Sequence, residues 1–106
     1  MEQPLYYDRD GNPITLWEWG HLIQTPAEER RIGRDTVHDH LISTVYLGLD
    51  HSLWGQPPLI YETMIFCQHQ GECPLNNWCE RYPTLENAQT GHQSAVTMVK
   101  LENHHA

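Results

Sequence analysis

The chain has 106 residues, 39% of them hydrophobic, and carries a formal net charge of −8. That length fits one domain with a modest core, to which four Trp and five Tyr add buried area. The charge disfavours duplex nucleic acid, which is held by Lys and Arg contacts to phosphate, and the sequence has no run of about 18 apolar residues to span a membrane.

The opening "MEQPLYYD" is acidic and lacks the apolar stretch of a signal peptide, so an intracellular protein is expected. The next segment, "YYDRDGNPI", reads as a hairpin, because Asp10-Gly11-Asn12 supplies residues that tolerate positive φ. Thr15 with Glu18 three residues on is a capping box that starts a helix at Leu16. Leu16, Trp19, Gly20 and Ile23 then share one face. Thr25-Pro26 with Glu28 repeats the start signal and predicts a single further turn.

"RRIGRDTV" and "HLISTVYLGL" predict strands joined by a short turn at His38-Asp39, and "PLIYETMIFC" predicts a third. Leu41, Val45, Leu47 and Leu49 alternate with Ile42, Thr44 and Tyr46. Ile60, Glu62, Met64 and Phe66 alternate with Leu59, Tyr61 and Ile65. Strands apolar on both faces need cover on both. A second copy of the chain is the economical cover, so a homo-oligomer, with a dimer favoured, is the expected state. Residues 67–80 form a Cys-containing insertion. "PTLENAQTGHQSAVTMVKL" predicts a terminal helix capped by Thr84, with Leu85, Ala88, His92, Ala95, Val96 and Val99 as its apolar stripe. Gly91 interrupts that helix where close packing is expected. Residues 102–106 read as a frayed tail. The expected fold is α+β: an antiparallel sheet of three to five strands, an N-terminal hairpin and two helices, the C-terminal one packed on the sheet.

Several constellations carry chemistry. The loop Asp50–Pro58 exceeds the usual hairpin length. In it His51 titrates near neutrality and Trp54 can stack on a planar ligand. The structural alternative is that Asp50 caps the loop and Trp54 seals the core edge. Glu62 lies on an apolar strand face and His92 on the apolar stripe of the helix expected to cover it, so a Glu62–His92 pair is predicted, either as a structural tie or as base and orienter. Arg34, with Arg30 and Arg31, could hold an anion or keep a strand edge soluble. Cys67, His69, Cys73 and Cys79 are four donors suited to tetrahedral zinc, although the spacing C-x-H-x₃-C-x₅-C matches no standard zinc motif. An odd number of cysteines cannot pair fully within one chain. In a reducing cytosol, free thiols or a metal are expected.

The strings "STVYLGLDH", "PPLIYETM" and "RYPT", with "GH" in a terminal helix and "YYDRDGNPITLWEW" at the start, resemble a family of small proteins encoded by actinobacteriophages and actinobacterial genomes. The likeness covers most of the chain apart from residues 67–79, where that family usually has a short Gly-rich or acidic connection. It implies a phage or phage-derived accessory protein in a bacterial host cytoplasm, binding a host protein or a small ligand such as a signalling nucleotide. Asp50, His51, Trp54, Glu62 and His92 fall in the matching strings. The leading expectation is binding without turnover, in a pocket made by loop 50–58 and the subunit interface. The alternatives are a small hydrolase, with His51 or His92 as general base and Glu62 as orienter, and a virion structural component.

Overall fold

The computed structural model describes residues 5–50, 57–68 and 73–103. His51, Trp54 and His69, singled out above, lie outside the described residues.

The order along the chain is α1 (Leu16–Ile23), α2 (Ala27–Arg30), β1 (Arg31–Val37), β2 (His40–Tyr46), β3 (Tyr61–Cys67), β4 (Cys79–Tyr82) and α3 (Leu85–Asn103). The strands form one antiparallel sheet in sequence order, β1-β2-β3-β4. The expected α+β architecture is present, including the terminal helix on the sheet. β4 starts inside the segment expected to be a loop insertion; its Arg81 and Tyr82 pair with Glu62 and Tyr61.

Local signals act as their chemistry requires. The Thr15–Glu18 capping box forms in both directions, Glu18 N–H donating to Thr15 Oγ1 at 3.1 Å and Thr15 N–H to Glu18 Oε1 at 3.0 Å. Thr84 caps α3 by accepting from Asn87 N–H at 3.0 Å. His38 and Asp39 both adopt positive φ, at 49° and 64°, as a two-residue hairpin turn demands. In the N-terminal hairpin Asp8 accepts from the N–H groups of Asp10 and Asn12. The Asn12 amide, first among these donors, pulls the Asp8 carboxyl below its ordinary pKa.

The core lies between α3 and one face of the sheet. One cluster joins Tyr7, Tyr46, Ile60, Tyr61, Tyr82 and Ala88; a second joins Ile42, Ile65, Leu75, Ala95, Val96 and Val99. Antiparallel partners directly opposite each other share a face, so the register assigns Ile42, Thr44, Tyr46, Tyr61, Thr63 and Ile65 to the covered side. A bulge between Arg31 and Gly33 adds Ile32, which packs against the first cluster. Two expectations need correction. Glu62, Met64 and Phe66 do not face α3; they lie on the other side of the sheet, opposite Val45, Ser43 and Leu41. Leu16, expected on a shared helix face, and Leu85, expected on the apolar stripe, stand 54% and 44% exposed, each in the first turn of its helix.

Gly91 is the close approach its position suggested. A Cβ there would overlap the Tyr82 ring and hydroxyl.

Candidate functional site

His92 projects from the buried stripe of α3 onto the sheet, where Gly33 makes room for it. A Cβ at position 33 would stand 2.9 Å from His92 Cδ2 and Nε2. The imidazole bridges two strands: Nε2 lies 2.7 Å from Asp35 Oδ2 on β1, and Nδ1 lies 2.7 Å from Thr44 Oγ1 on β2. Thr44 Oγ1 is in turn 2.5 Å from Thr63 Oγ1 on β3. The carboxylate is an acceptor, so Nε2 carries the hydrogen toward Asp35. A neutral ring then accepts the Thr44 hydroxyl proton at Nδ1, and Thr44 accepts from Thr63. One continuous hydrogen-bonded line thus ties three strands to the helix.

Carboxylate, imidazole and hydroxyl in series have the connectivity of an activated nucleophile. Burial decides against that role. Thr44 and Thr63 are 0% exposed and His92 3%, so no substrate carbonyl reaches the hydroxyl while α3 sits on the sheet. Only Asp35 opens to solvent, with half its side chain exposed.

The predicted Glu62–His92 pair is absent. Glu62 Oε2 instead accepts from Arg81 Nε at 2.9 Å, across the β3–β4 ladder on the face away from α3. β3 alternates with period 2 as expected, and of its two apolar faces the one carrying Tyr61, Thr63 and Ile65 meets α3. Asp35, the true partner, lies on an edge strand whose exposed pattern gave no sign of a buried contact.

Asp50 is 6% exposed, and its Oδ1 accepts from Leu59 N–H at 3.1 Å, across the mouth of the long loop. This is the capping role. Shallow depressions along α3 are lined by Gln89, Thr90, Gln93, Ser94 and Thr97 and include none of the candidate residues.

The face away from α3 has a composition of its own. The register places Arg31, Arg34 and Thr36 of β1, Leu41, Ser43 and Val45 of β2, Glu62, Met64 and Phe66 of β3, and Cys79 and Arg81 of β4 together there. None of these side chains is buried, and Phe66 is 37% exposed. Of the three clustered arginines, Arg31 and Arg34 share this face, whereas Arg30 ends α2 and is half-buried.

At the far end of the covered face the cysteines separate. Cys67 and Cys73 form a disulfide. His40, Cα partner of Cys67, brings Nε2 to 3.2 Å from Cys73 Sγ. The donor atoms of His40, Cys67 and Cys73 all lie within 4.8 Å of one another, a grouping of residue types that can hold a metal ion when the cysteines are thiolates. Cys79 is a free, exposed thiol opposite Met64, on the other side of the sheet, and is not part of this cluster. His40 was missed in the sequence because it stands 27 residues before Cys67 and joins it only through the strand register.

Comparison with protein-family models, curated proteins and solved structures finds no match to this chain. Among the described residues, no helix is long and apolar enough to cross a membrane.

Proposed function

We propose that the chain is a non-catalytic binding protein of the phage accessory type, working in a bacterial cytoplasm, and that the sheet face opposite α3 takes an acidic partner protein. The observation carrying this reading is that face itself. It combines an apolar centre (Leu41, Val45, Met64, Phe66) with Arg31, Arg34 and Arg81, while Glu62, the one carboxylate that the strand register places there among the described residues, is paired with Arg81. A basic face on a body of net charge −8 steers an acidic surface toward one side of the molecule. Apolar contacts at its centre then hold the complex. The sealed Asp35–His92–Thr44 line supports binding over turnover, because the best acid–base constellation among the described residues has no access for substrate.

A homodimer through the same face is the second reading, favoured by the apolar centre. Zinc belongs to the proposal as an ion held by His40, Cys67 and Cys73 once the Cys67–Cys73 disulfide is reduced, at an end of the sheet away from the partner face.

The test uses charge and shape together. R31E/R34E and F66E should each weaken partner capture at least tenfold, with capture falling as salt rises. Gln93→Glu on the solvent side of α3 should leave capture unchanged. Equal loss from all three variants contradicts the assignment. Sedimentation showing a dimer that F66E dissociates favours the second reading.

A further inference from the structure

We propose that His40, Cys67 and Cys73 bind a thiophilic divalent cation, zinc foremost, only while the two cysteines are reduced, so that the Cys67–Cys73 disulfide and the metal are mutually exclusive states of one centre. This rests on the reading that the centre holds a metal, and adds its ligand set and its control.

The imidazole is prepared for ligation. His40 is 3% exposed, and its Nδ1 lies 2.8 Å from the His38 carbonyl oxygen. A carbonyl only accepts, so Nδ1 carries the hydrogen and the neutral ring directs the Nε2 lone pair at Cys73. A backbone carbonyl that fixes the tautomer in this way is the usual second support of a zinc-bound histidine. The carbonyl comes from the left-handed His38–Asp39 turn, the tightest link between β1 and β2. The same turn also holds the cysteine side, Gln68 N–H donating to Asp39 O at 2.8 Å, and separately Cys67 N–H donates to Asn76 Oδ1 at 2.9 Å. Leu75 is buried in the second core cluster, against which Cys73 and Trp78 pack, so apolar side chains border the centre.

The electronic balance separates the two states. In the disulfide, Cys73 Sγ has no hydrogen to donate to Nε2 at 3.2 Å, and neither sulfur is an anion that could hold a cation beside the imidazole. In the reduced state a cation placed among the donors is shared by all three. Tetrahedral zinc, with bonds of about 2.0–2.3 Å, needs its donors roughly 3.5 Å apart. Cα atoms 6.5 Å apart in Cys67 and Cys73 let rotation about the side-chain bonds reach that spacing without moving the strands. Oxidation removes one electron from each thiolate and forms one S–S bond. A low-molecular-weight disulfide, accepting those two electrons through two successive exchanges, leaves as two thiols. The metal is released because a disulfide sulfur is no longer an anionic ligand.

Opposite faces of the sheet fix which cysteine takes part. Cys67 pairs with His40 on the covered side, whereas Cys79 pairs with Met64 on the open side. One ion cannot be shared through the sheet.

The full chain, reduced and stripped of metal with a chelator, is titrated with cobalt(II) and then zinc. One equivalent of cobalt should bind with a thiolate charge-transfer band and tetrahedral d–d bands, and zinc should displace it. Cys79→Ser should bind as wild type; Cys73→Ser should lose at least a hundredfold in affinity. Oxidation of wild type by a low-molecular-weight disulfide should abolish binding, and a phosphine reductant should restore it, a comparison that needs no variant to fold. No binding by the reduced wild type overturns this proposal together with the metal reading. Equal binding by both redox states overturns the mutual exclusion and leaves the metal reading standing. Equal losses in Cys79→Ser and Cys73→Ser overturn the ligand set.

Discussion

His92 Nε2 lies 2.7 Å from Asp35 Oδ2, and this contact joins a nearly fully buried imidazole to a half-exposed carboxylate. The two atoms differ in what they cost to lose. Asp35 can be replaced by water from its open side. Thr44, on the other nitrogen, has no solvent to turn to. His92→Ala is therefore expected to destabilise the fold by about 1–3 kcal/mol, the usual penalty for stranding a buried polar group. Asp35→Ala should cost about 0–1 kcal/mol. Urea denaturation of both variants checks the ranking, and equal losses contradict it.

Coupling separates the contact observed from the one expected. A double-mutant cycle between Asp35 and His92 should return at least about 0.5 kcal/mol of interaction, as residues sharing a hydrogen bond do. The cycle between Glu62 and His92 should return about zero, because the sheet stands between them.

Gly33 and His92 form a steric pair. Gly33→Ala would press a methyl against the imidazole at 2.9 Å, with an expected loss of about 1–3 kcal/mol from overpacking. In a His92→Ala background that loss should largely vanish. A penalty that persists there assigns the glycine to backbone strain instead.

Much of the fold is legible in the sequence because its signals are local. Thr15 and Glu18, Thr84, and the His38-Asp39 turn each act within four residues, and each forms as its chemistry requires. Alternation in β2 and β3 is equally plain, but it leaves open which set faces α3. Tyr61, Thr63 and Ile65 are the core set, although Met64 and Phe66 on the other face are also large and apolar. The deciding factor is Thr44 and Thr63, polar residues made compatible with burial by a histidine from α3. That satisfaction is a tertiary property. The same holds for His40, which joins the cysteines through register alone.

Alkaline pH should attack the tyrosine cluster. Burial, reinforced by the Asp8 carboxylate and opposed by Arg9, pushes the Tyr46 phenol from 10.0 up to about 12. Its hydroxyl donates to the Tyr7 carbonyl at 2.5 Å, so ionisation also removes the tie to the N-terminal hairpin. An unfolded chain ionises this group at its ordinary value. The stabilisation is therefore complete below pH 10 and is lost as pH rises through about 12. Tyrosinate absorbance and circular dichroism, followed together, should show ionisation and unfolding in that window. Phenol ionisation at the ordinary value with the fold intact contradicts the buried placement.

Partner binding is proposed for the sheet face opposite α3 and not for the solvent side of that helix. A photo-crosslinking residue placed at position 64 on that face, or at position 93 on the solvent side of α3, tests this in the cell that makes the protein. An adduct with an acidic protein is expected from position 64 and none from position 93. Adducts from position 93 alone, or only between two copies of the chain, contradict it.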